Sequence, residues 1–231
     1  MAPRVVIATP LAGSEPLCSS VSQGYSEHVR ALSHELGAVQ VVSYSGSHVH
    51  ARNRLAHALL RNFLTEPTDV VLWWDSDQWP EQRELAAQML ATGEDFIAAP
   101  TTTKERRAKF THRAIPGAQQ DGDTLEVAGV GFGYTMTTRR CLAAVSDAAE
   151  VYLEDANAIP NCFGHMYHAV DGGRWLLGED FSFCQRWRDL GGKVKLYLNA
   201  GIMHHAGQRS FTVRDIPGAN IEEAPPAMAA E

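Results

Sequence analysis

The chain is poor in cysteine, and the four it has, Cys18, Cys141, Cys162 and Cys184, form no CxxC pair. That spacing excludes a zinc ribbon and offers no disulfide framework, so reduced thiols and a cytoplasmic setting are expected. Long apolar runs are absent too. Val5-Val6-Ile7-Ala8, after a single Arg, is too brief for a signal h-region, and no stretch approaches the length of a membrane span. A basic excess is also missing: 20 Lys+Arg against 27 Asp+Glu give a net charge of -7, which argues against a general phosphate-gripping coat while permitting a local patch. There is no internal repeat. With 231 residues, 45% hydrophobic and 20% charged, the chain is suited to burying a globular core and is neither a polyelectrolyte nor a disordered tract.

Short β-rich runs alternate with helical patterns. Val5 to Ala8 reads as a buried strand, and Tyr25 to Leu36 carries Val29, Leu32 and Leu36 at helical spacing before Gly37. A strand over Val39 to Ser43, a helix over His50 to Leu64 and a strand over Asp69 to Trp74 complete a βαβαβ run. Pro80 is read as opening a helix over Glu81 to Leu90, and Asp95 to Ala99 as a fourth strand. Such alternation calls for a parallel sheet covered by helices, with ligands at the C-terminal strand edge. Beyond it, 101 to 123 is polar and turn-rich, and Leu125 to Thr137 reads as one strand interrupted by Gly129, Gly131 and Gly133. Arg139 to Val145 suggests a short helix. Glu150 to Arg174 shows no clean period and reads as a long functional loop. A helix over Glu179 to Leu190, a strand over Lys193 to Leu198 and an extended piece around His204 follow, with a frayed tail over Glu222 to Glu231.

The sharpest motif is Asp75-Ser76-Asp77, delivered by the buried run Val70-Val71-Leu72-Trp73-Trp74. While extended geometry lasts, residues two apart point to one side, and two convergent carboxylates suit a hard divalent cation that completes its shell with water and phosphates. The alternative is structural: Asp75 starts a turn and Asp77 caps the helix expected near Pro80.

Around that motif the chain resembles the GT-A glycosyltransferases, whose DxD follows a hydrophobic strand. His50-Ala51-Arg52-Asn53-Arg54-Leu55 looks like the "ARN" helix that precedes DxD in several of their subfamilies, mannosyltransferases included. Gly129-Val130-Gly131-Phe132-Gly133 followed by Arg139-Arg140 resembles their glycine-rich strand, Gly178-Glu179-Asp180-Phe181 their "ED" helix, and His205-Ala206-Gly207 their later HxG. The resemblance covers roughly residues 4 to 207 and rests on the motifs occurring in order. It implies an α/β fold, a GT-A (Rossmann-like) three-layer sandwich with a mostly parallel central sheet, as a single domain over 1 to 215 with a flexible tail over 216 to 231. The implied activity is metal-dependent transfer of a sugar from a nucleotide-diphosphate sugar, UDP- or GDP-linked, to an acceptor hydroxyl, with Mn²⁺ or Mg²⁺ stabilising the departing diphosphate.

The resemblance also implies roles. Asp77 is the first choice as metal ligand, Asp75 lies nearer the ribose or the metal's water shell, and His205 supplies a third contact, with His204 its alternative. Asp180 is the expected general base and Glu179 a contact to acceptor or donor hydroxyls; as a structural alternative, both acids merely complement a helix dipole. Arg52 and Asn53 are expected at the nucleotide, Thr9 and Pro10 at the base, and the Gly131 backbone against the transferred sugar. For these the alternatives are a solvated helix face, an ordinary turn and a strand bulge.

Other features carry less. Lys104, Arg106, Arg107, Lys109 and Arg113 form a basic cluster suited to a diphosphate or an anionic acceptor such as a modified base in phage DNA, or simply a solvated loop. The glycines lack GxGxxG spacing. His165, His168 and Cys162 lack a second pair of zinc ligands. Trp175 and Tyr167 either stack on an acceptor or pack a loop down. Two other classes compete: a nucleotide-sugar or glycan-binding module without turnover, and a sugar-phosphate nucleotidylyltransferase. The second is disfavoured because Pro10-Leu11-Ala12-Gly13-Ser14 has one glycine and no basic residue.

Overall fold

A computed structural model describes residues 3–12, 23–103, 109–206 and 209–211, with positions 12, 23, 205, 206 and 209–211 described by backbone alone. The expected βαβαβ run is present: β1 (Val5–Ala12), α1 (Gln23–Glu35), β2 (Val39–Ser45), α2 (His48–Asn62) and β3 (Val70–Trp74). β1 pairs in parallel with both β2 and β3. After β3 come β4 (Gln78–Pro80), α3 (Leu85–Ala91) and β5 (Phe96–Ala98). Pro80 therefore ends a strand instead of opening a helix. β4 lies at the edge of a small three-stranded sheet, where a residue without an N–H is tolerated, and helix α3 starts five residues later.

The segment read as one interrupted strand is two. Following β6 (His112–Ala114) and β7 (Gln120–Asp121), β8 (Thr124–Val130) and β9 (Tyr134–Thr138) are separated by Gly131-Phe132-Gly133 and occupy different places in the sheet. β9 inserts between β3 and β5, whereas β8 lies further out. Helix α4 (Arg139–Ala148) follows. The expected long loop consists of two hairpins, β10 (Val151–Glu154) with β11 (Asn157–Pro160), and β12 (Met166–Val170) with β13 (Gly173–Leu177). Helix α5 (Glu179–Asp189), β14 (Val194–Tyr197), β15 (Ile202–Ala206) and β16 (Arg209–Phe211) complete the described chain.

The nine-stranded sheet runs β2-β1-β3-β9-β5-β14-β8-β6, with β7 beside β8. Only β8 and β9 run against the rest, so the sheet is mostly parallel. Strand alternation sends Val6, Ala8, Val71 and Trp73 to one face, where α2, α4 and α5 pack, and Val5, Ile7, Leu72 and Trp74 to the other, under α1 and α3. This is the three-layer arrangement anticipated. Trp73 and Trp74, both fully buried, key β3 into both layers: Trp73 meets Phe132 and Phe163, and Trp74 meets Tyr25 and Tyr134. The residue that follows them is Asp75, so its position is fixed by the core on both sides. Among the described residues, no helix is long and apolar enough to cross a membrane.

At the opposite strand end, Asp69 ties the entry of β3 to its surroundings. Its carboxylate accepts from the backbone N–H groups of Arg4 (2.9 Å), Thr65 (2.8 Å) and Glu66 (2.9 Å). Burial would raise its pKa, but these hydrogen bonds outweigh burial and hold the carboxyl below the usual aspartate value. A group whose folded pKa is depressed contributes fully above its unfolded value, near pH 4, and loses that contribution as pH falls through the folded one. Asp69→Ala should therefore cost about 3 kcal/mol at pH 7. In urea unfolding the gap to the parent protein should narrow towards pH 3; a constant gap would mean that the charge is not responsible.

Candidate functional site

Asp75-Ser76-Asp77 follows the C-terminal end of β3, where the sequence reading places the site, but it is not extended. It forms a tight turn between β3 and β4, in which the Gln78 N–H reaches the Asp75 carbonyl (3.1 Å) and the Asp75 N–H reaches that of Gly133 (3.0 Å). A turn breaks the period-2 alternation, and the two carboxylates meet different partners. The structural alternative for Asp75, a turn start, is thus realised. No helix begins near Pro80 for Asp77 to cap.

Asp75 faces Arg52 in α2. The guanidinium, only 2% exposed, places Nη2 3.2 Å from Asp75 Oδ1 and Nη1 3.4 Å from Glu179 Oε1, and Nη1 also donates to Asp180 Oδ1. One buried cation thereby joins three carboxylates from two separate elements. The Phe132 and Phe163 rings lie 5.8 Å from its Cζ and dry its surroundings. Burial by itself would loosen the guanidinium's proton, but Asp180, Asp75 and Glu179 overcome this and raise its pKa, so it stays charged. Glu179 and Asp180 form the first turn of α5, where their charge also complements the helix dipole; the structural alternative and the ion pairing coexist.

Asp180 is held at both oxygens, since Oδ2 accepts from the Phe132 N–H at 3.0 Å. Burial pushes its pKa up to about 6; Arg52 opposes this, Glu179 and Asp75 add to it, and the Phe132 N–H pulls it back. Such a value places a carboxylate where it is mostly ionised at neutral pH yet more basic than an exposed aspartate.

Asp77 lies with its Oδ1 3.7 Å from Nε2 of His204. The Nδ1 of His204 donates to the Thr102 carbonyl; a carbonyl can only accept, so in the neutral ring Nε2 carries the free lone pair and points it towards Asp77. His204 pairs with Gln78 across β4 and β15. The register thus brings His204, the alternative, to the motif. The side chain of His205 lies outside the described residues. Among the described residues, no three His, Cys, Asp or Glu side chains are grouped to hold a metal ion.

The remaining candidates are placed as follows. Thr9 and Pro10 sit inside β1, which runs past the end of β3; Thr9 is buried and its hydroxyl bonds to Tyr25 Oη. Asn53 is fully buried, and its amide serves the 161–163 turn by donating to Asn161 Oδ1 (2.8 Å) and accepting from the Phe163 N–H (2.9 Å). Gly131 donates its N–H to the Thr111 carbonyl at 2.7 Å. A Cβ there would lie 2.9 Å from the Thr111 hydroxyl and 3.7 Å from Asp180 Oδ2, so the glycine lets β6's approach and the acid converge. Of the basic cluster, Lys104, Arg106 and Arg107 lie outside the described residues. Cys162 is buried in the core and His165 bonds to the Leu177 carbonyl, in keeping with the structural reading of that stretch. Thr102, beside His204, emerges without any sequence motif to assign it, and Arg113, read only as a member of the basic cluster, stands beside α5; both positions depend on contacts remote in the chain.

No protein-family model matches the chain, and no curated protein does. Solved structures do resemble it. "A197 from STIV" superposes with a TM-score of 0.57 at 15% identity, covering 92% of this chain and 91% of that one. GalNAc-T7, crystallised with UDP, GalNAc and Mn²⁺, gives 0.49 at 9% identity, over 88% of this chain and 44% of that one. 4-Diphosphocytidyl-2C-methyl-D-erythritol synthase gives 0.42 at 13%, over 85% and 88%. The first likeness is one of fold alone, and the two below 0.5 establish no relationship. The chain is a mixed α/β protein with helices on both faces of a large, mostly parallel sheet.

Replacing Arg52 by Met should leave three carboxylates facing one another. The loss should be about 3 kcal/mol, the lower end for a broken buried pair, because the three acids keep 21–29% of their surface exposed. Without the cation that opposes burial, Asp180 should hold its proton to higher pH than in the parent protein, so the variant should lose stability as pH rises from 5 to 7. Melting temperatures at both pH values check this; a pH-independent loss would point to packing alone.

Proposed function

We propose that this chain is a metal-dependent glycosyltransferase of the GT-A class, a single catalytic domain over 1 to 215 that moves a sugar from a UDP- or GDP-sugar to an acceptor hydroxyl. The observation that carries this reading is the Arg52 cluster. It draws the ARN, DxD and ED motifs, up to 128 residues apart, onto one guanidinium at the C-terminal edge of the sheet. Three carboxylates around one cation leave the pocket negative, which suits a divalent ion bringing an anionic donor with it.

The donor set fits such an ion. Asp77 supplies a carboxylate and His204 an imidazole whose Nδ1–H is fixed by a backbone carbonyl, the second contact typical of metal-binding histidines. Asp77 and His204 would hold Mn²⁺ or Mg²⁺, which when bound stabilises charge on the departing diphosphate. Asp75, engaged by Arg52, acts from the water shell or on the ribose. Thr9 and Pro10 border the nucleotide, and Asn53 positions the 161–163 turn.

Asp180 is the base. The acceptor oxygen bonds to the anomeric carbon as the bond to the diphosphate oxygen breaks; the electron pair leaves with the nucleoside diphosphate, and the hydroxyl proton passes to a free lone pair of Asp180. Arg52 and the Phe132 N–H hold the carboxylate in place, and Glu179 faces the sugar hydroxyls.

Thermal-shift titration with UDP and GDP, with and without Mn²⁺, tests the metal assignment. A Mn²⁺-dependent rise in melting temperature is expected, lost in both Asp77→Ala and His204→Ala; a shift that survives in both would remove these residues from the metal shell. For transfer, kcat/KM should rise with pH and level off above about pH 6, the folded value of Asp180. Asp180→Asn should retain the nucleotide shift but lose transfer by a hundredfold or more. Donor binding with no nucleoside diphosphate released from any UDP- or GDP-sugar would instead define a binding module.

A further inference from the structure

Beside the Asp180 cluster stands a second arrangement that neither donor nor metal uses. Gly129 in β8 has no side chain, and a Cβ there would come within 2.6 Å of the Phe181 ring. The ring therefore occupies the space a side chain would fill. Arg113 in β6 pairs with Gly129 in register, so its side chain emerges over the same spot. Its guanidinium Cζ sits 5.1 Å from the Phe181 centroid and 5.1 Å from that of Trp175 in β13. Two aromatic rings thus lie within cation–π range of the guanidinium and limit where it can move. Among the described residues, Arg113 has no carboxylate or hydrogen-bond partner, whereas Arg4, Arg52, Arg54, Arg140 and Arg186 all have one. Trp175 covers Arg113 yet remains 45% exposed.

We infer that Arg113 and Trp175 form an acceptor subsite for a sugar-sized ring bearing a single anionic group, a carboxylate or a phosphate. The inference rests on the reading of Asp180 as base, because Phe181 follows it directly in α5 and packs on Gly129, two residues from the Gly131 that faces Asp180 Oδ2. The indole's open face takes the ring. The planar fork of Arg113, held by stacking, takes the anion in two parallel hydrogen bonds. A single fixed fork fits one charge; a polyanion would meet a protein whose net charge is -7.

Calorimetric titration of the whole protein, without donor or metal, tests this with matched probes. 4-Nitrophenyl glucuronide against 4-nitrophenyl glucoside isolates the carboxylate, and glucose 6-phosphate against glucose isolates the phosphate. In at least one pair the charged member should bind ten times or more tightly, and the pair that shows it names the anion. Arg113→Gln should abolish that preference, and Trp175→Ala should weaken both members of the pair. If Arg113→Gln does not fold, Arg113→Lys, which keeps the charge and loses the fork, should reduce the preference to threefold or less. Equal binding within both pairs, no binding of any probe, a preference that survives in the folded Arg113 variant, or a 5′-phosphorylated oligonucleotide that outcompetes the probes would each overturn the inference. Because no sugar is transferred in this measurement, it can succeed where the glycosyltransferase reading fails, and the reverse.

Discussion

A buried guanidinium facing three carboxylates is the constraint around which the rest of this molecule is arranged. Arg52 is 2% exposed, and stripping that much water from a cation is expensive unless partners replace it. Three carboxylates over-compensate it, so the cluster holds net negative charge in a partly dry place. No arrangement of apolar side chains would tolerate that. The surroundings accordingly supply dipoles where they can: the N-terminal turn of α5 beneath Glu179 and Asp180, and the Phe132 N–H on Asp180 Oδ2. Burial, with Glu179 and Asp75 adding to it, holds the Asp180 pKa up at about 6 against the pull of Arg52 and the Phe132 N–H. The same burial makes the carboxylate basic, so a cost in folding and a capacity for chemistry have the same origin.

Rigid positioning follows from how each acid is attached. Asp75 comes directly after Trp73 and Trp74, which are locked into opposite layers, and Trp74 additionally donates its indole N–H to the Gln78 carbonyl at 2.6 Å, closing the turn that carries Asp77. A Cβ at Gly133 would lie 2.1 Å from the Gln78 side-chain amide, so the glycine leaves that amide its place where the β8–β9 linker runs beside the turn. Asp180 and Glu179 are carried by a helix whose Ser182 hydroxyl and Arg186 guanidinium bind the backbone of the 162–166 segment and of Leu177. The hairpin that bears Trp175 is thereby anchored to the helix that bears Asp180. The proposed acceptor platform and the proposed base are therefore coupled.

What the sequence made legible and what it hid divide along the range of the interactions. The βαβαβ run, both tryptophans, the acids at 75 and 77 and the α5 boundary at Glu179 follow from local pattern, and the structure has them within a few residues. The stretch from 150 to 174 was opaque because its two hairpins turn apolar residues outward: Val151, Leu153, Tyr167 and Leu176 are 59–78% exposed. An alternation that puts hydrophobic residues on the solvent side carries no signal of a buried face. Likewise, the glycines at 131 and 133 mark an interruption locally but not that β8 and β9 take different places in the sheet; at the break, the Phe132 ring is buried in the core and its N–H is held by an acid 48 residues away. Pro80 misled for a related reason, since its lack of an N–H suits an edge strand as well as a first helical turn. The Arg52 cluster was legible as separate motifs but not as one object, because ion pairing over 127 and 128 positions leaves no periodic trace.

The place of His204 shows how one register position fixes geometry. β15 pairs His204 with Gln78, the residue after Asp77, and so brings its imidazole to the DxD turn. The imidazole is then oriented through Thr102, whose carbonyl fixes the tautomer. Thr102 itself belongs to the segment that leads by way of Thr111, bonded to the Thr101 carbonyl, into β6 and Arg113. One short stretch of backbone thus connects the nitrogen that faces Asp77 to the guanidinium that faces outward from Phe181. A shift of β6 against β8 by a single residue would turn Arg113 away from the Phe181 ring. The same slip would break the Gly131 contact to Thr111 that lets the chain close around Asp180. The register of that one pairing, held by the Gly131 N–H on the Thr111 carbonyl, therefore constrains the proposed base and the proposed acceptor platform together.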